Sequence, residues 1–210
     1  MFDGVGVMTT EGLTALVDSL ARVETDVTDG ERIDQLAALE RVKAAVAAAQ
    51  VRVTASFVES QEQVSAGWRA RAQECSDGGD FDGWRVARDA GDLASWQTQC
   101  ELGADTGPSR SSRSMPRSSA RARAVFRSGV AAQVALAQGL SPTRGSQQVR
   151  VALTLTTAMP HVMACLEQGL LSEWRASIVV RECAVLTDEQ RGEVDRDLAD
   201  TLGEADRSAR

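Results

Sequence analysis

The feature that most constrains the fold is an uninterrupted helical pattern over residues 31–61. This run contains no Gly or Pro, the two residues that most disfavour a helix interior. Leu39, Val46 and Val53 recur every seven residues, a period typical of a bundle helix or a coiled-coil arm. Packing in the chain's own core is the preferred interpretation of this stripe, and self-association through it is the alternative. The sequence therefore predicts a long helix near the N-terminus.

The rest of the chain also reads as helices, because no segment shows the sustained alternation of a β-strand. A short helix capped by Thr10 is predicted before the long one. After residue 128, helix starts and stops follow one another closely, as N-caps, a capping box and terminal glycines. These signals lie at Ser141-Pro142, Ser172, Thr187–Gln190, Gly139 and Gly169. The predicted fold class is all-α, a helical bundle with one long N-terminal helix and a cluster of shorter C-terminal helices.

Four segments are predicted along the chain. They are an N-terminal helical segment, an irregular and partly disordered Arg/Ser-rich linker, a C-terminal helical bundle and a polar tail. The linker prediction rests on Gly78-Gly79, Pro108 and the low-complexity run 107–120. The bounds of the four segments are 1–63, 64–127, 128–203 and 204–210.

The net charge of −7 conceals a strongly uneven distribution. Residues 1–105 carry −10 and residues 167–210 carry −5, whereas residues 106–166, the basic band, hold eight Arg and no acid. Flexible arginines approach phosphates readily, so the basic band predicts weak, sequence-tolerant DNA binding. A solvated linker, with an Arg content set by codon usage, is the alternative. The candidate nucleic-acid-binding residues are Arg110, Arg113, Arg117, Arg121, Arg123, Arg127, Arg144 and Arg150.

The sequence predicts no catalytic site, metal site or cofactor. His161 is the one histidine, no cysteine pair has C-x-x-C spacing, and G-x-S-x-G is absent. A structural or solvent-facing role is preferred for His161. The acidic run near the C-terminus is interpreted as a solvated helix face, formed by Glu193, Asp195, Asp197 and Asp200.

A cytoplasmic protein without a membrane partner is expected. The first 20 residues hold three acids and no basic segment of the kind that opens a signal peptide. The uncharged run 151–166, which no other run in the chain exceeds in length, is too short to cross a membrane and contains Pro160. The four cysteines are interpreted as reduced and partly buried.

The stretch 128–202 resembles a known family. Its most specific match is the run 171–176, Leu-Ser-Glu-Trp-Arg-Ala. Further matches are Ser141-Pro142 with Arg144-Gly145, Met159-Pro160-His161, Leu166-Glu167 with Gly169, Val179–Glu182 and Leu186-Thr187. The sequence is similar to the domain of unknown function numbered 222, which is common in actinobacterial proteins of a mobile-repeat family. Residues 31–63 resemble the beginning of that domain.

In that family the domain commonly precedes an HNH endonuclease domain, which uses a His base, further His or Asn residues and a divalent metal. The resemblance implies an accessory, non-catalytic domain of a DNA-acting protein and carries over no catalytic residue. The family-motif residues are Ser172, Glu173, Trp174 and Arg175, and Trp174 is expected to anchor its helix in the core.

Two other interpretations of the whole chain stay open. One is a helical interaction module that forms a homodimer through the long helix without meeting DNA. The other is a truncated remnant of the mobile family. The short helices between Ser141 and Ala184 have the lengths and turns of a helix-turn-helix unit, although a packing bundle is the preferred interpretation.

Overall fold

The computed structural model describes residues 8–100 and 129–209, and within this part of the chain every regular element is helical. The all-α prediction is therefore confirmed. A 3₁₀ turn, Cys183–Val185, follows α7. The helices are α1 (Thr10–Leu20), α2 (Asp29–Asp77), α3 (Phe81–Cys100), α4 (helical residues 129–137), α5 (Pro142–Thr157), α6 (Pro160–Glu167), α7 (Glu173–Glu182) and α8 (Asp188–Ala209).

Helix α2 is longer than predicted. It continues through residues 64–77, and α3 covers 81–100, so the irregular segment expected from residue 64 is wrong over this range. A glycine inside a helix costs only about 1 kcal/mol relative to Ala, so Gly67 does not interrupt α2. The helix ends at Gly78-Gly79, where Gly79 adopts a positive φ of 73°. The remainder of the predicted linker, 101–127, lies outside the described residues.

The predicted helix ends after residue 128 are confirmed. The hydroxyl oxygens of Ser141 and Ser172 each accept a hydrogen bond from a backbone N–H three residues later, at 3.4 Å. Thr187 and Gln190 form the predicted capping box, with distances of 3.0 and 3.3 Å. Two details differ from prediction. The cap of α1 is Thr9 rather than Thr10, and the expected polar tail is helical through Ala209.

Contacts divide the chain after Glu40 into two units, 1–40 and 41–210. In the first unit, α1 contains no buried residue. At the start of α2, local hydrogen bonds fix the helix terminus, because Thr28 and Glu31 form a capping box. Hydrogen bonds from the Thr28 backbone and hydroxyl lower the pKa of the Glu31 carboxyl.

The core of the second unit combines small side chains from α2 with larger ones from α5 and α6. Ala44, Ala47, Ala48 and Val51 form the buried face of α2. The bulkier contributions to the same cluster include Leu155, Met159, Val162 and Leu166, and Ala176 and Val180 of α7 also belong to it. Small side chains on one helix face allow a neighbouring helix to approach closely, and the larger side chains of α5 and α6 supply the bulk of this cluster.

The core interpretation of the seven-residue stripe on α2 is wrong for two of its members. Val46 is 40% exposed and Val53 is 69% exposed. The reason is the direction of the buried face, which Ala44, Ala47 and Val51 define. Because neighbouring helical positions are rotated by about 100°, Val46 and Val53 fall outside that face.

No single helix among the described residues is long and apolar enough to cross a membrane. Helices α5 and α6 meet the criteria of length and hydropathy only as a pair, and this pair is bent by 107°. Their most apolar residues, including Leu155 and Val162, belong to the buried core.

Gly145 permits the close crossing of α4 and α5. A Cβ atom at this position would lie 2.3 Å from the Ala131 carbonyl oxygen and 2.6 Å from the Ala135 Cβ. Both neighbours are part of a helix, so they cannot move independently of the backbone. This crossing sets the position of α5 beside the second buried cluster, formed by Val58, Val130, Ala131, Val134 and Val149.

We expect Gly145→Ala to lower the free energy of unfolding by about 1–3 kcal/mol, because the added methyl forces α4 and α5 apart. Gly192→Ala is the matched control. Its Cβ would meet no atom within 4 Å, so the same change in α8 should stabilise by about 0.5–1 kcal/mol. Urea denaturation measures both values, and effects of the same sign would contradict the close crossing.

Candidate nucleic-acid interface on helix α5

Asp195 of α8 caps the N-terminus of α6 from a distant part of the sequence. Its side chain is 1% exposed. One carboxylate oxygen accepts from the Val162 N–H at 2.7 Å, and the other accepts from the His161 N–H at 3.0 Å. The residue before α6, Met159, makes no side-chain cap of its own. Asp195 therefore satisfies backbone donors that the first turn of α6 leaves without helical partners.

The solvated-face interpretation of the acidic run is consequently wrong for Asp195, while Glu193, Asp197 and Asp200 are exposed. His161 joins the same contact, since its ring Nδ1 lies 2.8 Å from the Asp195 Oδ2 atom. The imidazole is otherwise largely exposed. His161 has no carboxylate close to it in the sequence, but the fold brings it into contact with Asp195, 34 residues away.

Arg191 makes the complementary contact at the C-terminal end of α7, with carbonyls of the 3₁₀ turn that follows it. Its Nε donates to the Cys183 carbonyl at 3.0 Å, and its Nη2 donates to the Ala184 carbonyl at 3.1 Å. An ion pair with Asp188 at 2.8 Å fixes Nη1. A cation at C-terminal carbonyls and an anion at N-terminal amides both match the helix dipole. Arg191 and Asp195 are four residues apart, so they lie on the same face of α8. This face therefore binds both the N-terminus of α6 and the C-terminal end of α7.

Helix α5 is oriented by contacts near its N-terminus. Gly145 packs on α4, and the Gln148 amide donates to the Glu173 carboxylate of α7 at 3.1 Å. These contacts leave Arg144 and Arg150 exposed. The other six candidate arginines, Arg110, Arg113, Arg117, Arg121, Arg123 and Arg127, lie outside the described residues.

Arg144 and Arg150 differ from many arginines elsewhere in the described chain. Arg52, Arg88 and Arg181 each pair with a carboxylate. None of the ion pairs given by the described residues includes Arg144 or Arg150. Helix α5 itself contains no acid with which they could pair. Both guanidinium groups can therefore meet an external anion without first losing an internal one.

A groove of about 630 Å³ runs beside α5. Its base is apolar, with Val149 and Val180 buried and Leu153 half-buried. Exposed or half-exposed polar side chains line the groove above this base, and its lining contains two guanidinium groups and no carboxylate. These polar side chains are Ser146, Arg150, Thr154, Thr157 and Arg191.

The family-motif residues at the start of α7 serve different purposes. Ser172 caps the helix, and Glu173 accepts from Gln148. Trp174 is 70% exposed, so the prediction that it anchors α7 in the core is wrong. Ala176 and Val180 define the buried side of α7, and Trp174 lies about 200° around the helix from Ala176. Arg175 is exposed.

The cysteines in the core are not arranged as nucleophiles. Cys165 and Cys183 are buried. Burial raises the pKa of the Cys165 thiol, and the charge of Asp195 raises it further. Burial also raises the pKa of the Cys183 thiol, while Arg191 acts in the opposite direction. Among the described residues, no group of three or more His, Cys, Asp or Glu is placed to hold a metal ion.

Sequence reasoning missed the Asp195 and Arg191 contacts. The available signal was an opposite-charge pair four residues apart on a capped helix, a pattern shared by many solvent-exposed helices. No family model, curated protein or solved structure matches the chain. The family resemblance therefore stays a prediction.

We expect Asp195→Asn to lower the free energy of unfolding by about 2–3 kcal/mol. Asparagine keeps the shape, but its NH₂ group faces a backbone donor and the negative charge at the helix terminus is lost. Asp197→Asn, an exposed change two residues later, is the control and should alter stability by less than about 0.5 kcal/mol. Equal effects of the two variants in urea denaturation would contradict the capping assignment.

Proposed function

We propose that the chain is a non-catalytic helical accessory module that binds DNA weakly and without sequence preference through the basic band, residues 106–166. The observation that supports this function best is the exposure of Arg144 and Arg150 on a helix without acids. A guanidinium group that lacks a carboxylate partner can bind phosphate bidentately. Phosphate contacts of this kind supply essentially all of non-specific DNA binding.

The overall negative charge of the chain opposes DNA binding. The strength of this effect depends on how close the acidic side chains lie to the arginines of α5. At physiological ionic strength the Debye length is about 8 Å, so only acids close to α5 matter. Glu173 is one such acid, because it contacts Gln148, one turn beyond Arg144. Arg150 projects from a different side of α5 than Gln148, since positions two apart on a helix face away from each other. Arg150 is therefore the stronger phosphate contact of the two.

The wider setting is proposed from the resemblance of residues 128–202 to domain family 222. In this setting the module supplies DNA affinity to an HNH-type nuclease domain. The described residues place Arg144 and Arg150 exposed on α5, which agrees with a role of this module in DNA affinity. Codons for a His-Asn-His motif downstream of Arg210 in the same reading frame would support the setting, and a stop codon directly after Arg210 would contradict it.

We expect a short DNA duplex to bind with a dissociation constant of about 10⁻⁴ to 10⁻⁶ M at physiological salt. Contact with about four phosphates gives a log–log salt slope near −3.6. The double variant Arg144→Ser/Arg150→Ser should reduce the magnitude of that slope by about 1.8, because each lost contact contributes about 0.9. Fluorescence anisotropy at several salt concentrations measures these slopes.

The matched control is Arg175→Ser, which removes an exposed arginine of α7 outside the basic band. It should leave the slope unchanged. The proposal fails if the wild type does not bind at low salt, or if affinity is unchanged when all eight arginines of the basic band become Ser.

Self-association through α2 is a second candidate function, favoured by the exposure of Val46 and Val53. An exposed apolar stripe at seven-residue spacing is typical of coiled-coil contacts. Three further positions on this side of α2 are uncharged, namely Gln50, Ser60 and Val64. A second copy of the chain would cover the stripe without burying a charge.

We expect the wild type to form a dimer and Val53→Asp to be monomeric in light scattering, because a carboxylate would be buried at the interface. Val46→Asp should act likewise. Val185→Asp is the control, since Val185 is also strongly exposed but belongs to the 3₁₀ turn after α7 rather than to α2. A wild type that is monomeric at high concentration, or a dimer that survives both α2 substitutions, would exclude this function.

A further inference from the structure

We propose that the groove beside α5 binds a small amphipathic anion, an aliphatic or aromatic group that carries a carboxylate or a phosphate. The groove has a volume of about 630 Å³. Ligand-binding pockets usually measure about 300–1,000 Å³ and combine an apolar lining with a few polar groups that fix the ligand's orientation. The groove has both properties, and its polar groups indicate which charge it accepts.

The two guanidinium groups of the groove favour an anion. Arg150 is exposed and has no carboxylate partner among the described residues. Arg191 is held in place by the Cys183 and Ala184 carbonyls and by Asp188. Because Asp188 already balances the charge of Arg191, Arg150 supplies the net positive charge. The anionic head is therefore expected at Arg150.

Two of the three hydroxyl groups of the groove support the same placement. Ser146 donates to the Pro142 carbonyl at 3.1 Å, and Thr157 donates to the Leu153 carbonyl at 2.7 Å. A hydroxyl has one proton to donate, so these two groups present lone pairs to the groove. Lone pairs repel an anion, and a carboxylate or phosphate placed beside them would lack donors. The head group is thereby directed to the guanidinium of Arg150.

The apolar base of the groove favours a ligand that also carries a hydrocarbon or aromatic group. Val149, Leu153 and Val180 line the groove below its polar side chains. A hydrocarbon or aromatic group would cover this surface and remove it from water, which favours binding in proportion to the area covered. A DNA backbone can satisfy Arg150 but presents no apolar group of that size to the base. The groove therefore fits a small amphipathic ligand better than it fits a phosphodiester chain.

Isothermal titration calorimetry with octyl phosphate, octanoate and octanol tests the proposal on the full chain. We expect saturable binding of the two anions at one site, and binding of octanol that is weaker by about tenfold or more. A preference between octyl phosphate and octanoate would identify the head group. Octanol that binds as well as both anions, or anions that show no saturable binding, would overturn the proposal.

Three substitutions localise the site and separate it from DNA binding. Arg150→Gln should weaken octyl phosphate binding about tenfold, while Arg175→Gln, an equal charge change on α7, should not. Thr157→Trp should obstruct the groove and reduce octyl phosphate binding without altering the DNA salt slope.

Arg144→Gln should have the opposite effect to Thr157→Trp. It should reduce the magnitude of the DNA salt slope and leave octyl phosphate binding intact. Failure of DNA binding alone would therefore leave the ligand proposal standing. Equal effects of Arg150→Gln and Arg175→Gln, or unaltered ligand binding by Thr157→Trp, would place the ligand elsewhere and refute the groove assignment. Arg150 and Thr157 are exposed, and circular dichroism checks that each variant is folded.

Discussion

The arrangement of α6 and α7 depends on two charged side chains of α8. A buried carboxylate is strongly destabilising unless hydrogen bonds replace its lost water. Asp195 meets this requirement with two backbone amides of α6 and the ring of His161. Removing either the acid or the donors would leave the other unsatisfied, so the α6–α8 contact has one favourable register. Arg191 fixes the end of α7 to the same face of α8, so the positions of α6, α7 and α8 relative to one another are set by these contacts.

The small side chains of this core make such directional contacts especially important. The buried face of α2 consists largely of Ala, and α5 crosses α4 at Gly145. Small residues bury less apolar area per position, and they have few side-chain atoms with which to specify a unique packing. Hydrogen-bonded caps specify distance and direction together. In this chain they supply much of the specificity that large interlocking side chains provide elsewhere.

Local sequence signals, such as helix caps, predicted most of the helices. They did not predict the contacts between helices. The caps at Ser141 and Ser172 were predictable because each acts within three residues of itself. The burial of Asp195 was not, because its partners lie 33 and 34 residues away. Val53 and Trp174 were misplaced for a related reason: periodicity identifies an apolar face but does not say which face another helix covers. The basic band was visible in the sequence, but the groove beside Arg150 requires four helices in their final positions.

Arg191 connects the stability of the fold to the candidate site. The same guanidinium group that holds the carbonyls after α7 also lines the groove and pairs with Asp188. Its geometry is thus set by folding, and preorganisation of this kind lowers the entropic cost of binding a ligand. Arg150 is the opposite case, an exposed and adaptable cation on a helix without acids. In the proposed complex Arg150 therefore takes the anionic head, Arg191 forms a fixed wall of the groove, and the apolar side chains of α5 and α7 take the hydrocarbon or aromatic group.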